Sequence, residues 1–303
     1  MSGAVNTGNI AKLLWPGLNQ IWGEYKEYQG EYRDLFDIQS SDKAYEEDQL
    51  LPGLGYAPVK TQGQSVTYDT LSQGFTSRYT HLAYALGFIL TREALADNQY
   101  KTKALKATKM LARSHRQTKE VVSANVYNRA HNASYTGADG QVLCSTAHPT
   151  IAGSQSNRLT TAADLSEASL EDMCVLIANA TDERGLKVAL KPRSLHIPTA
   201  EMFNATRILK SLGQNDTANN ATNALRAMGL FPEGAKVNHF FDDADAVFIR
   251  TDADQGMVFF QREEPEFAQD NDFDTSNLKY KSYERYSAGW TDFRGLFSNG
   301  GGA

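Results

Sequence analysis

The sequence predicts an α+β protein rather than a doubly wound parallel sheet. Three observations carry this. Residues 100–132 run for the length of a long helix without Pro or Gly. Residues 59–88 switch to a period of two, the spacing of strands. Beyond residue 166, short helical and strand-like stretches mix without the regular strand–helix alternation of a parallel sheet. The composition is globular, with 303 residues, 41% hydrophobic and 22% charged, enough for one large domain or two ordinary ones.

The chain opens on an arm, residues 1–52. Trp15, Leu18, Ile21, Trp22 and Tyr25 fall at helical spacing, so one amphipathic helix is expected. Pro52, Gly53, Gly55 and Pro58 then break the chain. Such an arm has too few apolar residues to fold alone. It must lie on its own body or on a neighbour.

Residues 53–88 read as an extended hairpin, with strand character from residue 59. Val66 and Tyr68 alternate with polar residues, and Phe75, Ser77, Tyr79, His81 and Ala83 share one face. Both faces carry polar groups, so the hairpin is not core strand. It projects into water or onto a partner, since isolated hairpins are marginal in water.

Thr91 is placed to cap a short helix over 91–99. The long helix over 100–132 follows, with Leu105, Thr108, Leu111, Ala112, His115, Val122 and Val126 as its buried stripe. It would span roughly 45–50 Å. Next, Leu170, Met173, Cys174 and Ile177 mark a helix with Ser169 as N-cap and Gly185 as stop. "KPRSLHIP" reads as a buried strand. A second helix runs over 199–213, with Met202, Ala205, Ile208, Leu209 and Leu212 facing in. "GQNDTANNATNA" is a flexible loop. Strands return at 246–250 and 257–261, and "LKYKSYERYSAGWTDFRGLF" alternates again.

The net charge of −6 argues against a surface that grips nucleic acid everywhere. No apolar run is long enough for a signal peptide or a bilayer span, so a soluble protein made in the cytoplasm is expected, with no membrane partner. Two cysteines make no disulfide framework, and both are expected to be reduced.

Three constellations are candidates for chemistry. Cys144 and His148 lie four residues apart. A thiolate can be activated by a nearby imidazole, but such partners are usually remote in sequence and no third, orienting residue is apparent. A zinc site would need further ligands that the chain does not supply at the right spacing. A small buried thiol and a hydrogen-bonded loop histidine are the favoured reading. Lys101, Lys103, Lys106, Lys109, Arg113, Arg116 and Lys119 form a basic run on the long helix. It faces phosphate or an acidic partner, or it is a solvated face paired with acidic loops such as "FFDDADAVF". Solvation is favoured, because no aromatic residues interleave with the run. Acidic clusters at Asp242, Asp243 and Asp245, at Asp252 and Asp254, and from Glu263 to Asp274 lack calcium-loop spacing and read as solvated loops. No nucleotide-binding, nucleophile-elbow or zinc-protease motif occurs. Neither catalytic residue, metal nor cofactor is expected.

Several strings in order, "GFILTREALADNQ", "DGQVLCSTAHPTIAGSQSNRLT", "LSEASLEDMCVLIANATDERGLKVALKPRSLHIPTAEMFNATRILKS" and "SAGWTDFRGLF", resemble the major capsid (head) subunits of Mu-like tailed phages. The resemblance spans about residues 75–298 and implies the Hong Kong 97-type capsid fold. It makes residues 1–52 the N-arm and 53–88 the extended E-loop. Residues 89–165 become the peripheral (P) domain with its spine helix, 166–251 most of the axial (A) domain, and 252–303 the return to the P domain. It also implies hexamers and pentamers of one chain, enclosing double-stranded DNA in an icosahedral shell that matures from an expanding precursor. A maturation protease and a portal are implied partners, with decoration proteins left open. Residues 1–40 are too short for a fused scaffolding domain, so a separate scaffold is expected. Cys144 and His148 become structural. Two readings compete: an oligomeric enzyme using Cys144 and His148, and another phage structural protein such as a tail tube or decoration protein.

Overall fold

The computed structural model describes residues 7–91, 93, 100–213, 222–272, 274–275 and 277–301, without the side chains of 7–14, 26 and 100–102. The short helix expected over 91–99 and the loop after Gly213 lie largely outside these residues.

Helix α1 (Thr7–Lys26) carries the arm's apolar stripe. A short helix α2 (Tyr32–Leu35) and strand β1 (Asp37–Ser40) follow. Strand β2 (Tyr45–Gln49) pairs antiparallel with β3 (Thr76–Thr80), and β4 (Leu82–Leu90) continues from β3. The expected hairpin is therefore displaced: its outgoing strand is Tyr45–Gln49, and residues 50–75 carry no strand. Alternation at Val66 and Tyr68 found no partner to pair with, and Pro52, Pro58 and four glycines interrupt the segment. Gly74 is obligatory where the loop closes, because a Cβ there would run into the Leu50 carbonyl oxygen. Tyr79 and His81 are buried, against the expectation that this hairpin is not core strand, whereas Ala83 of the same expected face is exposed. The strand breaks at His81 and the inward parity changes.

Helix α3 (Tyr100–Asn128) has 29 residues and a length of about 43 Å. It stops four residues earlier than expected. Hairpin β5 (His148–Thr150) with β6 (Gly153–Gln155) precedes α4 (Glu167–Ala178). Here Ser166, not Ser169, is the N-cap; Ser169 is its N3 partner in a reciprocal capping box. The helix ends at Ala178, and Gly185 serves a separate turn at φ +86°. Strand β7 (Pro192–Pro198) leads through a 3-10 turn into α5 (Met202–Lys210). That helix ends before Leu212, which is exposed rather than inward. Helix α6 (Ala224–Met228) and strands β8 (Ala235–Asn238), β9 (Phe248–Thr251), β10 (Met257–Asn271), β11 (Leu278–Trp290) and β12 (Leu296–Ser298) complete the chain.

Two four-stranded sheets organise these elements, in the orders β1-β10-β11-β4 and β12-β9-β7-β8. Pairings β1–β10 and β7–β8 are parallel, the rest antiparallel. Strands β10 and β11 form a long ribbon. Glu263, Glu264, Glu266 and Asp270 lie on it, not in a loop as expected. Pro265 sits where the β10 register shifts, as a residue lacking N–H must.

Three large cores, beside a small cluster of Tyr79, Val258 and Phe260, follow from the side-chain periods. Leu18, Trp22 and Tyr25 of α1 pack on Ala104, Leu111 and Ala112 of α3 and on Phe267, Leu278 and Tyr280 of the ribbon. Tyr32, Leu35 and Phe36 meet Tyr127, Phe248, Phe259 and Tyr286 in a second. The third joins Leu170, Met173 and Ile177 of α4 with Leu195, Ile197, Ala205, Ile208, Val247, Ile249 and Phe297. Strand β9 serves two of them. Phe248 faces one and Ile249 the other, the alternation that a strand buried on both faces requires. The mixed helix–strand content agrees with the expected α+β class.

Candidate assembly surfaces

Cys144 and His148 are both fully buried but do not act together. The Cys144 thiol lies in the second core, where burial pushes its pKa well up and disfavours the thiolate. His148 is used on both ring nitrogens. Nδ1 lies 2.6 Å from Asp139 Oδ2, and Nε2 lies 3.1 Å from Asn157 Oδ1. The ring stacks on Phe293 at 3.9 Å between centroids. Asn157 Nδ2 in turn donates to the carbonyls of Leu143, Phe293 and Leu296. His148 therefore ties the hairpin to the closing strand, with no nitrogen left for the thiol. Cys174 is half-buried and its thiol is pushed up to about 11 by burial. Among the described residues, no group of His, Cys, Asp or Glu could hold a metal ion, and no helix is long and apolar enough to cross a membrane.

The basic run is divided by the helix surface. Lys106, Lys109 and Arg113 are exposed and make no ion pair with a described residue. Lys103 is exposed and has a partner. The Arg116 guanidinium lies over the Tyr28 ring at 3.6 Å, a cation–π contact. The side chain of Lys101 is not described. Lys119 departs from the run altogether. It is buried, with Nζ 2.7 Å from Glu284 Oε2. The loop containing Asp242 meets the far end of α3 through Asn128, whose Nδ2 donates to Asp242 Oδ2 at 3.0 Å.

Glu284 anchors the arm. Its Oε1 accepts from Tyr25 of α1 at 3.0 Å and lies 3.1 Å from His115 Nδ1; His115 Nε2 also meets Ser282 Oγ. Burial alone would raise the Glu284 pKa, but the hydrogen bonds and charges of His115 and Lys119 hold it below the usual range. Sequence reading missed this site, although a signal existed. Leu278, Tyr280, Ser282, Glu284 and Tyr286 share the buried parity of β11, and a carboxylate on such a face requires partners. His115 and Lys119, four apart on α3, supply them.

Glu120, one residue on, is also buried. Its Oε2 accepts the Tyr32 N–H at 2.9 Å. Burial, reinforced by Glu31 nearby, raises its pKa to about 7 despite the Tyr32 hydrogen bond.

The opposite condition holds in residues 50–75. Tyr56 is 79% exposed, Val59 92% and Tyr68 90%, with Leu51, Leu54, Val66 and Leu71 also open to solvent. Strand β4, at the edge of its sheet, adds exposed Leu82, Leu86 and Ile89. Apolar side chains this numerous on one loop and one sheet edge mark a surface that meets protein.

Comparisons with known proteins agree with such a surface. A family described as phage capsid protein matches residues 74–299. No curated protein sequence matches the chain. Among solved structures, the virus-like particle of Pyrococcus furiosus aligns with a TM-score of 0.54 at 10% identity, over 93% of this chain and 97% of the other. A phage-related protein of Bordetella bronchiseptica RB50 gives 0.52 at 14% identity, over 93% and 95%. The procapsid of bacteriophage JBD30 gives 0.52 at 12% identity, over 97% and 75%. The fold is the Hong Kong 97-type capsid fold. The chain belongs to the phage capsid protein family and is a major capsid protein that forms a head shell.

Proposed function

We propose that this capsid protein is the head subunit of a Mu-like tailed phage, arranging as hexamers and pentamers around double-stranded DNA. Its shell forms first as a smaller precursor on a separate scaffold, is processed by a maturation protease, receives DNA through a portal and expands. Assembly takes place in the host cytoplasm. The observation that carries the reading is the exposed apolar loop over 50–75, together with the exposed apolar residues of edge strand β4. Surface of this kind is stable in water once neighbours cover it, and closed assemblies of one chain supply such neighbours.

The exposed arc of Lys106, Lys109 and Arg113 is proposed as a contact for DNA phosphate or for an acidic neighbouring subunit. An acidic subunit with net charge −6 otherwise repels packaged DNA and leaves it loosely held. Charge reversal at Lys106 and Lys109 separates the roles. Loss of shells assigns the arc to a subunit contact, loss of retained DNA from intact shells assigns it to phosphate, and no change in either removes it from function.

Co-expression with the scaffold, read by electron microscopy and a size profile, tests the whole. Closed shells are expected. A small species that persists with scaffold present contradicts the reading.

A further inference from the structure

Beyond its base, where the Gly74 N–H donates to the Leu50 carbonyl, the loop over 50–75 is fastened again at a neck. Asp69 Oδ2 accepts the Gly55 N–H at 2.9 Å, and Oδ1 accepts the Thr70 N–H at 2.8 Å. Fourteen residues of chain are thereby drawn to a neck. Arg184 closes on that neck from a remote turn. Its Nη1 lies 2.5 Å from Asp69 Oδ2, and its Nη2 donates to the Thr70 carbonyl at 2.8 Å. The Gly55 N–H, then the Arg184 guanidinium and the Thr70 N–H, hold the Asp69 carboxyl below the usual carboxylate range. Arg184 itself is well held. Asp182 Oδ1 accepts the N–H groups of Arg184 and Leu186, both at 2.8 Å, and Gly185 takes the left-handed conformation that the turn needs.

Beyond the neck hangs a lobe over 56–68 that holds Tyr56, Val59, Val66 and Tyr68. Its single charge is Lys60, so it is suited to apolar contact with protein and not to phosphate. A shell of identical chains offers it one occupant, a second copy of this chain. Pinning the neck halves the free span of the loop, and halving a flexible span eases its ordering by about threefold. Ordering a segment before it binds raises affinity.

We propose that Arg184 is a positioning residue for assembly: it clamps the loop neck through Asp69 and Thr70 and presents the lobe, shortened in span but still open to solvent, to the neighbouring subunit. This rests on the shell-forming reading of the chain. The test uses Arg184→Ala, Asp69→Asn and the double variant of the full chain. Two quantities are read: the tryptic cleavage rate after Lys60 in unassembled subunits, and the protein concentration needed for shells with scaffold. Each variant is expected to cleave faster and to require about three- to tenfold more protein, with an unchanged melting temperature. The double variant should match the worse single, because the two residues form one contact. Wild-type shells with variants that cleave and assemble normally would overturn the clamp alone. Variants that assemble at lower concentration would overturn it too, since the contact would then be a restraint. Wild-type protein that forms no shells would overturn the assembly reading as well.

Discussion

The arm helix and the loop over 50–75 begin from similar positions and end differently. Both are segments that cannot fold alone, and both carry aromatic and aliphatic side chains. In α1, Leu18, Trp22 and Tyr25 recur at helical spacing, form one stripe and bury themselves on α3 and the ribbon of the same subunit. In the loop, Tyr56, Val59, Val66 and Tyr68 are separated by Pro58 and Gly63 with no helical period. They form no stripe and stay exposed. Apolar content alone does not decide whether a segment serves its own core or a partner. Period decides, because only a periodic segment can satisfy its backbone while turning one face to the core.

This contrast can be broken most strongly at Trp22. Its ring is 1% exposed, stacks on Phe267 and donates to the Pro265 carbonyl. Trp22→Ala should cost about 4 kcal/mol, read by denaturant unfolding of the subunit. A cost below about 1 kcal/mol would mean that the arm is not part of the core. Glu284→Ala comes next. It leaves Lys119 and His115 buried without their carboxylate and should cost about 3 kcal/mol. Glu284→Ala with Lys119→Met should recover part of that loss, as no buried charge then lacks a partner.

Glu120→Gln gives a smaller, pH-dependent effect. The folded protein holds the Glu120 proton up to about pH 7, whereas the unfolded chain releases it near 4.5. The wild type therefore loses stability as pH rises from about 4.5 to about 7 and levels off above. Glutamine keeps an oxygen for the Tyr32 N–H and carries no charge. The variant should gain about 1–3 kcal/mol at pH 8 and nothing at pH 4. An equal effect at both pH values would show that packing, not ionisation, governs this site. Tyr68→Ser should be the mildest for the subunit, below about 0.5 kcal/mol, yet it should impair shell formation. If it destabilised the subunit as Trp22→Ala does, the contrast between arm and loop would fail.

Much of the fold was legible wherever local period and final burial coincide. The stripes of α1 and α3, the buried faces of α4 and the alternation of β11 all read directly. What escaped depends on partners distant in sequence. Nothing local in Asp37–Ser40 announces a parallel pairing with Val258–Gln261. Val66 and Tyr68 alternate as a strand would, but no strand lies beside them. Among the candidate site residues, Lys119 looked like one more lysine of a basic run. Its place is decided by Glu284, 165 residues later, which draws the ammonium inward. The capsid assignment rested on strings such as "DGQVLCSTAHPTIAGSQSNRLT" taken in order, and the family match covers that region. The clamp at Arg184 could not be read, because Asp69 and Arg184 are each ordinary surface charges until the turn and the loop meet.

Hydrogen exchange measured by mass spectrometry on free subunits and on assembled shells tests the central claim most directly. The account predicts slow exchange across residues 15–25 in both states. Across 56–71 it predicts fast exchange in the subunit and slow exchange in the shell. A loop already protected in the subunit, or still unprotected in the shell, would contradict it.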